Sequence, residues 1–199
     1  TGGRGASSAS GATSGAFWAS GDRPAFEPKG HGPEEPFELG AGGQIPRPIN
    51  RHLWDFQREG VSFLWRRYAD PTGPKGAILS DDMGLGKTVQ VIAFLSAVFK
   101  KTGTAADVDR IEELASAGEL PEYAVDAGAG GKGAPGRPVL VVCPASVLAS
   151  WLKHLEEWGR FAVAPLRGKK DLEATLDRAR RGKVEIVLMS YPMLQASSV

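Results

Sequence analysis

The residues of this chain best suited to chemistry are Gly84, Gly86, Lys87 and Thr88, within residues 76–101, GAILSDDMGLGKTVQVIAFLSAVFKK. Their spacing is that of a loop that wraps phosphate. Glycines let backbone amides close on phosphate oxygens without interference from a Cβ. A helix beginning near Lys87 adds its unpaired N–H groups and the positive end of its dipole. Lys87 is then a point charge for the β- and γ-phosphates, and the Thr88 hydroxyl a ligand for Mg²⁺. One position departs from the generic pattern, which starts on glycine: this chain has Asp81 there. A glycine-rich turn that binds nothing is the plain alternative, and the flanks weigh against it. Ala77, Ile78 and Leu79 read as a short strand before the loop, and Val91, Ile92, Leu95, Val98 and Phe99 follow at helical spacing.

Such a loop needs a sheet and helices to hold it. Asn50 is a candidate cap for a helix through residues 51–69, with Leu53, Phe56, Gly60, Val61, Leu64 and Tyr68 along one side. Gln57 lies beside that stripe. By spacing alone it is an exposed helical side chain as readily as a carboxamide that pairs with the adenine edge. Arg58, Arg66 and Arg67 read as a solvated face. The phosphate-loop helix should end near Lys100 and Lys101, whose cations suit its negative pole.

Val139–Cys143 is a continuous apolar run, as in a buried parallel strand. Ser146 can cap a following helix whose apolar stripe is Val147, Leu148, Trp151, Leu152, Leu155 and Trp158, with Gly159 as its stop. Residues 161–166 form another strand, with Arg167, Gly168, Lys169 and Lys170 at its carboxyl end. Residues 171–181 form a helix with Leu172, Leu176 and Ala179 inward. Residues 184–189 form a fourth strand, followed by Ser190 and Tyr191. Strand and helix alternate, so the fold class is α/β, a parallel sheet flanked by helices with ligands at the strands' carboxyl ends.

Composition sets bounds. The 199 residues carry a formal net charge of +1, so a nucleic-acid partner would have to be met by a local patch. The single Cys143 excludes an internal disulfide framework and reads as a buried structural thiol in a reducing compartment. No apolar run approaches a membrane span, and the amino-terminal stretch lacks the apolar core of a secretory signal. Residues 1–38, rich in Gly, Ser, Ala and Pro, read as a disordered segment. Residues 49–199 are the folded unit, with a flexible insertion at about 102–138 that contains a short helix. No second His or Cys stands at metal-ligand spacing from His154. A start at Thr1 and a stop at Val199 suggest a piece of a longer protein.

Four stretches then agree in order. HLWDFQREGVSFL resembles the glutamine motif of the Swi/Snf-type DNA-dependent ATPases of helicase superfamily two. DDMGLGKTVQ is similar to their phosphate-loop motif. CPASVLASWLKHLEEWG is similar to the motif of the form Pro-x-Ser-x-x-x-x-Trp, and IVLMSYPML to the Ser/Thr-Tyr motif ending a later strand. INRHLWDFQREG, the DDM spelling and KKTGTAADVDR are most similar to the Cockayne-syndrome-B-related branch, and within it to the excision-repair-cross-complementing "six-like two" proteins.

The resemblance implies the first RecA-like lobe of a P-loop NTPase, truncated. It implies that Gln57 contacts adenine and that Asp81, Asp82, Met83, Gly84, Leu85, Gly86, Lys87 and Thr88 hold ATP and Mg²⁺, with Lys87 and Thr88 in the catalytic roles. Ser146, Arg167, Gly168, Lys169, Ser190 and Tyr191 would lie along the backbone of duplex DNA, read without regard to sequence. Trp54, Ala149 and Pro192 depart from residues common in the family, which bears on the DNA face more than on the nucleotide loop. The implied protein is a nuclear, ATP-dependent DNA translocase of repair or chromatin remodelling, with chromatin or repair proteins as partners and no membrane.

Hydrolysis needs a second acidic motif, Asp-Glu at the end of a strand, to hold Mg²⁺ and orient water. The chain contains no Asp-Glu dipeptide. That motif and the second lobe with its arginine finger are expected beyond Val199, and these residues alone are expected not to turn over ATP. Two other classes stand beside this one. One is a nucleotide-binding scaffold or switch without turnover. The other is an unrelated phosphate-loop enzyme such as a small-molecule kinase, which leaves the Gln57 and Trp151 motifs without a role.

Overall fold

The computed structural model describes residues 30, 32–74, 76–117 and 138–197. Most of the segment expected to be disordered, and the glycine-rich part of the insertion, lie outside the described residues.

The chain opens with an antiparallel hairpin, β1 (Phe37–Gly40) and β2 (Gly43–Ile45). Gly40, Ala41 and Gly42 turn it with positive φ, which suits glycine and is uncommon for alanine. The hairpin was not expected, and Phe37 and Glu38 at the end of residues 1–38 belong to it. Two helices follow, α1 (Arg47–Asn50) and α2 (Asp55–Ala69), then α3 (Lys87–Val98) and α4 (Ala106–Ala117), which supplies the short helix expected in the insertion.

The α/β part proper is β3 (Val139–Cys143), α5 (Leu148–Trp158), β4 (Val163–Leu166), α6 (Leu172–Arg180), β5 (Ile186–Ser190) and α7 (Tyr191–Ser197). The three strands are parallel in the order β3-β5-β4. The chain therefore leaves β3 through α5 for the far edge and returns through α6 to the middle. Ile186 and Leu188 of β5 point to one face with α3 and α5, joined there by Phe99, Leu152, Leu155 and Phe161. Val187 and Met189 point to the other, against Ala179 of α6 and Met193 of α7. A middle strand apolar on both faces is what a covered parallel sheet requires. A third cluster, Ile45, Ile49, Leu53, Val61 and Ala93, ties the hairpin, α1 and α2 to α3.

Several expectations are corrected. Residues 77–79 are not a strand: they run extended into the loop without a ladder, and Ile78 is 85% exposed. A strand exists by pairing, and among the described residues none lies alongside this segment. The sheet thus has three strands where four were expected.

Asn50 closes α1 and does not cap α2. Its side chain donates to Glu35 O at 2.7 Å and accepts from Arg58. Arg58 is buried, with Nε on Asn50 Oδ1 at 2.7 Å, Nη2 on Asn50 O at 3.0 Å and Nη1 on Asp55 Oδ1 at 2.7 Å. The inward face of α2 is accordingly Gln57, Arg58, Val61 and Trp65, and Phe56 and Tyr68 are exposed. Trp65 turns inward because the hairpin lies on it: its indole N–H donates to Gly40 O at 2.8 Å. Ser146 stands in a 3₁₀ turn, Ala145–Val147, and Val147 precedes α5 without a side-chain cap. Leu176 is exposed on α6.

Candidate nucleotide site

The loop between residue 80 and α3 turns on two glycines in the left-handed region, Gly84 at φ 86° and Gly86 at φ 77°. Gly86 is the residue immediately before the helix. Its φ favours glycine, and a Cβ there would stand 2.5 Å from Gln57 Nε2 and push that amide aside. The Lys87 ammonium folds back over the loop and donates to Asp81 O at 2.6 Å and Asp82 O at 2.8 Å. It is thereby held at the amino end of a 12-residue helix, where unpaired N–H groups and the helix dipole favour an anion. Thr88 is the next helical residue, half-buried. Asp82, Met83, Gly84 and Leu85 are exposed, Met83 almost fully at 95%.

Gln57 is 8% exposed and bound to this loop. Its Nε2 donates to Leu85 O at 3.1 Å, and its Oε1 accepts the Trp54 N–H at 2.9 Å. The second bond closes the first turn of α2, as a Gln three residues into a helix often does. The exposed-glutamine alternative is therefore excluded. Each end of the carboxamide keeps one hydrogen-bonding position beyond these two bonds. Sequence reasoning missed that Gln57 braces the loop before α3, because the partner lies 28 residues away.

Asp81 is also engaged by its side chain: Gln90 Nε2 donates to Asp81 Oδ2 at 2.7 Å. Gln90, fully buried in α3, was not singled out from sequence. Its position three residues after Lys87, directly before the apolar run Val91–Leu95, was the available signal.

The six DNA candidates fall on one edge of the sheet. Cys143 pairs with Ser190 in register, and Leu166 with Met189, so the three parallel strands end level. Ser146 follows β3, Arg167 and Gly168 follow β4, Lys169 opens the 3₁₀ turn Lys169–Asp171, and Ser190 and Tyr191 join β5 to α7. Ser146, Arg167, Lys169 and Tyr191 are exposed. The single cysteine, Cys143, is buried at the end of β3, and burial pushes its thiol pKa up. Among the described residues, no cluster of three His, Cys, Asp or Glu could hold a metal, and no helix is long and apolar enough to cross a membrane.

The SNF2-related domain model matches residues 56–199, from within the glutamine motif through the last helix. The chain belongs to the SNF2-related family. Its sheet and flanking helices are those of part of a RecA-like lobe. It is 42% identical over 156 residues to DNA excision repair protein ERCC-6-like 2 of Mus musculus, covering 77% of this chain and 9% of that protein. It is 33% identical over 165 residues to Switch 2 of Arabidopsis thaliana, covering 80% of this chain and 16% of that protein. DNA excision repair protein ERCC-6 of Mus musculus is 31% identical over 135 residues, 67% of this chain and 7% of the relative. This SNF2-related chain lies near the ERCC-6-like branch and spans about a sixth or less of the length of these relatives.

Proposed function

We propose that this chain is the nucleotide-binding part of a DNA-dependent ATPase that moves on duplex DNA in repair or chromatin remodelling, in the nucleus. The observation that carries the reading is the seat of Lys87 at the amino end of α3, on a loop braced by Gln57. The donor set suits Mg-ATP. The Lys87 ammonium, the amides that open α3 and the two glycine turns are a cradle for the polyphosphate, and the Thr88 hydroxyl is a hard oxygen donor for Mg²⁺. Asp81, Asp82, Met83 and Leu85 complete the wall, and the free positions of the Gln57 carboxamide suit adenine. Bound ATP would supply the phosphoryl group whose transfer to water drives movement. This chain's own residues bind and orient it: Lys87 offsets phosphate charge, and α3 contributes its dipole.

The level ends of β3, β4 and β5 support a DNA-facing role for Ser146, Arg167, Gly168, Lys169, Ser190 and Tyr191. Hydroxyls, helix-start amides and two cations on one edge suit phosphate contacts made without base reading. The names of the relatives, two of them excision repair proteins, support repair as the setting and a nuclear location, with chromatin or repair proteins as partners. The 199 residues carry no Asp-Glu dipeptide, so turnover is assigned to a longer protein.

The deciding measurement is the ATPase rate of the chain extended through a second lobe, with and without duplex DNA, for wild type and Lys87→Ala. The reading expects stimulation by DNA that the variant loses. Nucleotide binding with no DNA-stimulated turnover would replace it with a scaffold or switch, and turnover indifferent to DNA with an unrelated phosphate-loop enzyme.

A further inference from the structure

We propose that Gln90 is a positioning residue of the nucleotide site: it ties the Asp81 carboxylate to α3 and so keeps a negative charge off Lys87 and away from bound phosphate. The inference rests on the nucleotide-loop reading and deepens it, since Gln90 is not among the residues assigned to touch nucleotide.

Asp81 faces two ways. Its main-chain carbonyl takes the Lys87 ammonium at 2.6 Å, and its carboxylate takes Gln90 Nε2 at 2.7 Å. A carboxylate whose own carbonyl lies that close to an ammonium has an obvious alternative partner in the same ammonium. Paired there, it would neutralise Lys87 and repel the phosphates that the lysine serves. An amide donor restrains the carboxylate by a charge-assisted bond without adding a charge of its own.

The cost of keeping an amide at this position is visible. With Nε2 committed to Asp81, Oε1 is turned toward α2, where it is buried and accepts no hydrogen bond among the described residues. A buried acceptor without a partner is destabilising, and an apolar side chain of similar size would avoid that penalty. Helix α2 also gives way to it: a Cβ at Gly60 would lie 2.0 Å from Gln90 Oε1. Glycine within a helix lowers stability relative to alanine, and here the approach of Gln90 accounts for it. Two unfavourable features, an orphaned acceptor and a mid-helix glycine, thus surround one bond to Asp81.

The test uses the whole 199-residue chain and titrates Mg-ATP against Gln90→Met, Asp81→Asn and their combination. Gln90→Met fills the same space and removes both the donor and the orphaned acceptor. It is expected to leave the thermal midpoint unchanged or raised while weakening nucleotide binding about tenfold, the size of one hydrogen bond to a charged group. Beside Asp81→Asn the charge to be released is gone, so Gln90→Met should cost less than about threefold relative to Asp81→Asn alone, a non-additivity expected of residues in contact. Wild-type affinity in Gln90→Met overturns the inference and leaves the nucleotide reading standing. The same loss, about tenfold, in the Asp81→Asn background also overturns it, because packing would then carry the effect. Absence of Mg-ATP binding by the wild type overturns the nucleotide reading and this one with it.

Discussion

The Lys101 ammonium lies 2.7 Å from the Glu185 carboxylate, with the two side chains 4% and 2% exposed. The pair joins the segment just after α3 to the amino end of the sheet. Glu185 Oε2 accepts the Ala162 N–H at 2.9 Å, and the Glu185 carbonyl accepts the Val139 N–H at 2.8 Å. One residue therefore gathers the starts of β3, β4 and β5. The Phe161 ring lies 5.5 Å from the Lys101 ammonium and covers it. Fixing the amino ends in this way leaves the carboxyl ends as the edge where loops and ligands can vary.

Removing one partner should strand a buried charge. Lys101→Met or Glu185→Leu is expected to cost about 3–5 kcal/mol in urea denaturation, whereas the double variant should recover much of that. Recovery should stop short of wild type, because the Ala162 N–H loses its acceptor at a cost of about 1–3 kcal/mol. A single-variant loss under about 1 kcal/mol, the size of a surface pair, would show that water reaches this site.

The hairpin should be sensitive at Gly43. A Cβ there would stand 2.1 Å from Trp65 Cε2, in the ring that also binds Gly40 O. Gly43→Ala is expected to cost about 1–3 kcal/mol by overpacking, with a changed Trp65 fluorescence spectrum. Gly42→Ala is the useful contrast: nothing lies within 4 Å of its Cβ position, so its cost comes from its φ of 75° alone. Equal spectra for the two variants would separate Trp65 from the hairpin.

The sequence told most where a motif is local. The glycines, Lys87 and the helix behind them are contiguous, and the structure places them as their spacing implies. The parallel strands were legible because β3 and β5 are apolar on both faces. What failed depended on partners distant in sequence. The 77–79 segment has strand composition, but pairing decides a strand and composition does not. The stripe on α2 was misplaced because Trp65 and Arg58 are drawn in by Gly40 and Asn50. Phe37 to Ile45 carried a hairpin signal, apolar flanks around a glycine-rich turn, that was passed over in favour of composition. Gln57 and Gln90 were legible as polar residues near apolar stripes, but their bonds to Leu85 and Asp81 were not.

Stability should fall at alkaline pH through the buried Cys143 thiol and, to a smaller extent, the partly exposed Tyr68 phenol. Desolvation raises the Cys143 thiol above its ordinary 9.0 and the Tyr68 phenol above its ordinary 10.0. As pH rises past those values the unfolded chain gives up these protons first, so it binds fewer protons than the folded chain and stability declines. Cys143→Ala should flatten the part of the decline that begins near 9.0. Native Cys143 should also react slowly with a thiol reagent at neutral pH and readily once denatured, since thiolate is the reactive form. Fast native labelling would place the sulfur in solvent.

The sharpest test of the DNA-facing edge is salt dependence. Arg167 and Lys169 follow β4, on the edge where β3, β4 and β5 end. If each meets one phosphate, Arg167→Ala and Lys169→Ala should each weaken duplex binding about equally for all sequences. Each should also reduce the slope of log affinity against log salt by about 0.9. Arg180→Ala is the matched control. It removes the same charge from the carboxyl end of α6, where the chain has turned back toward the amino end of β5. Loss of net charge alone predicts three equal effects, whereas a phosphate-binding edge predicts that Arg180→Ala changes the slope least. Equal slopes in all three variants would remove this edge from the DNA path and leave the nucleotide site untouched.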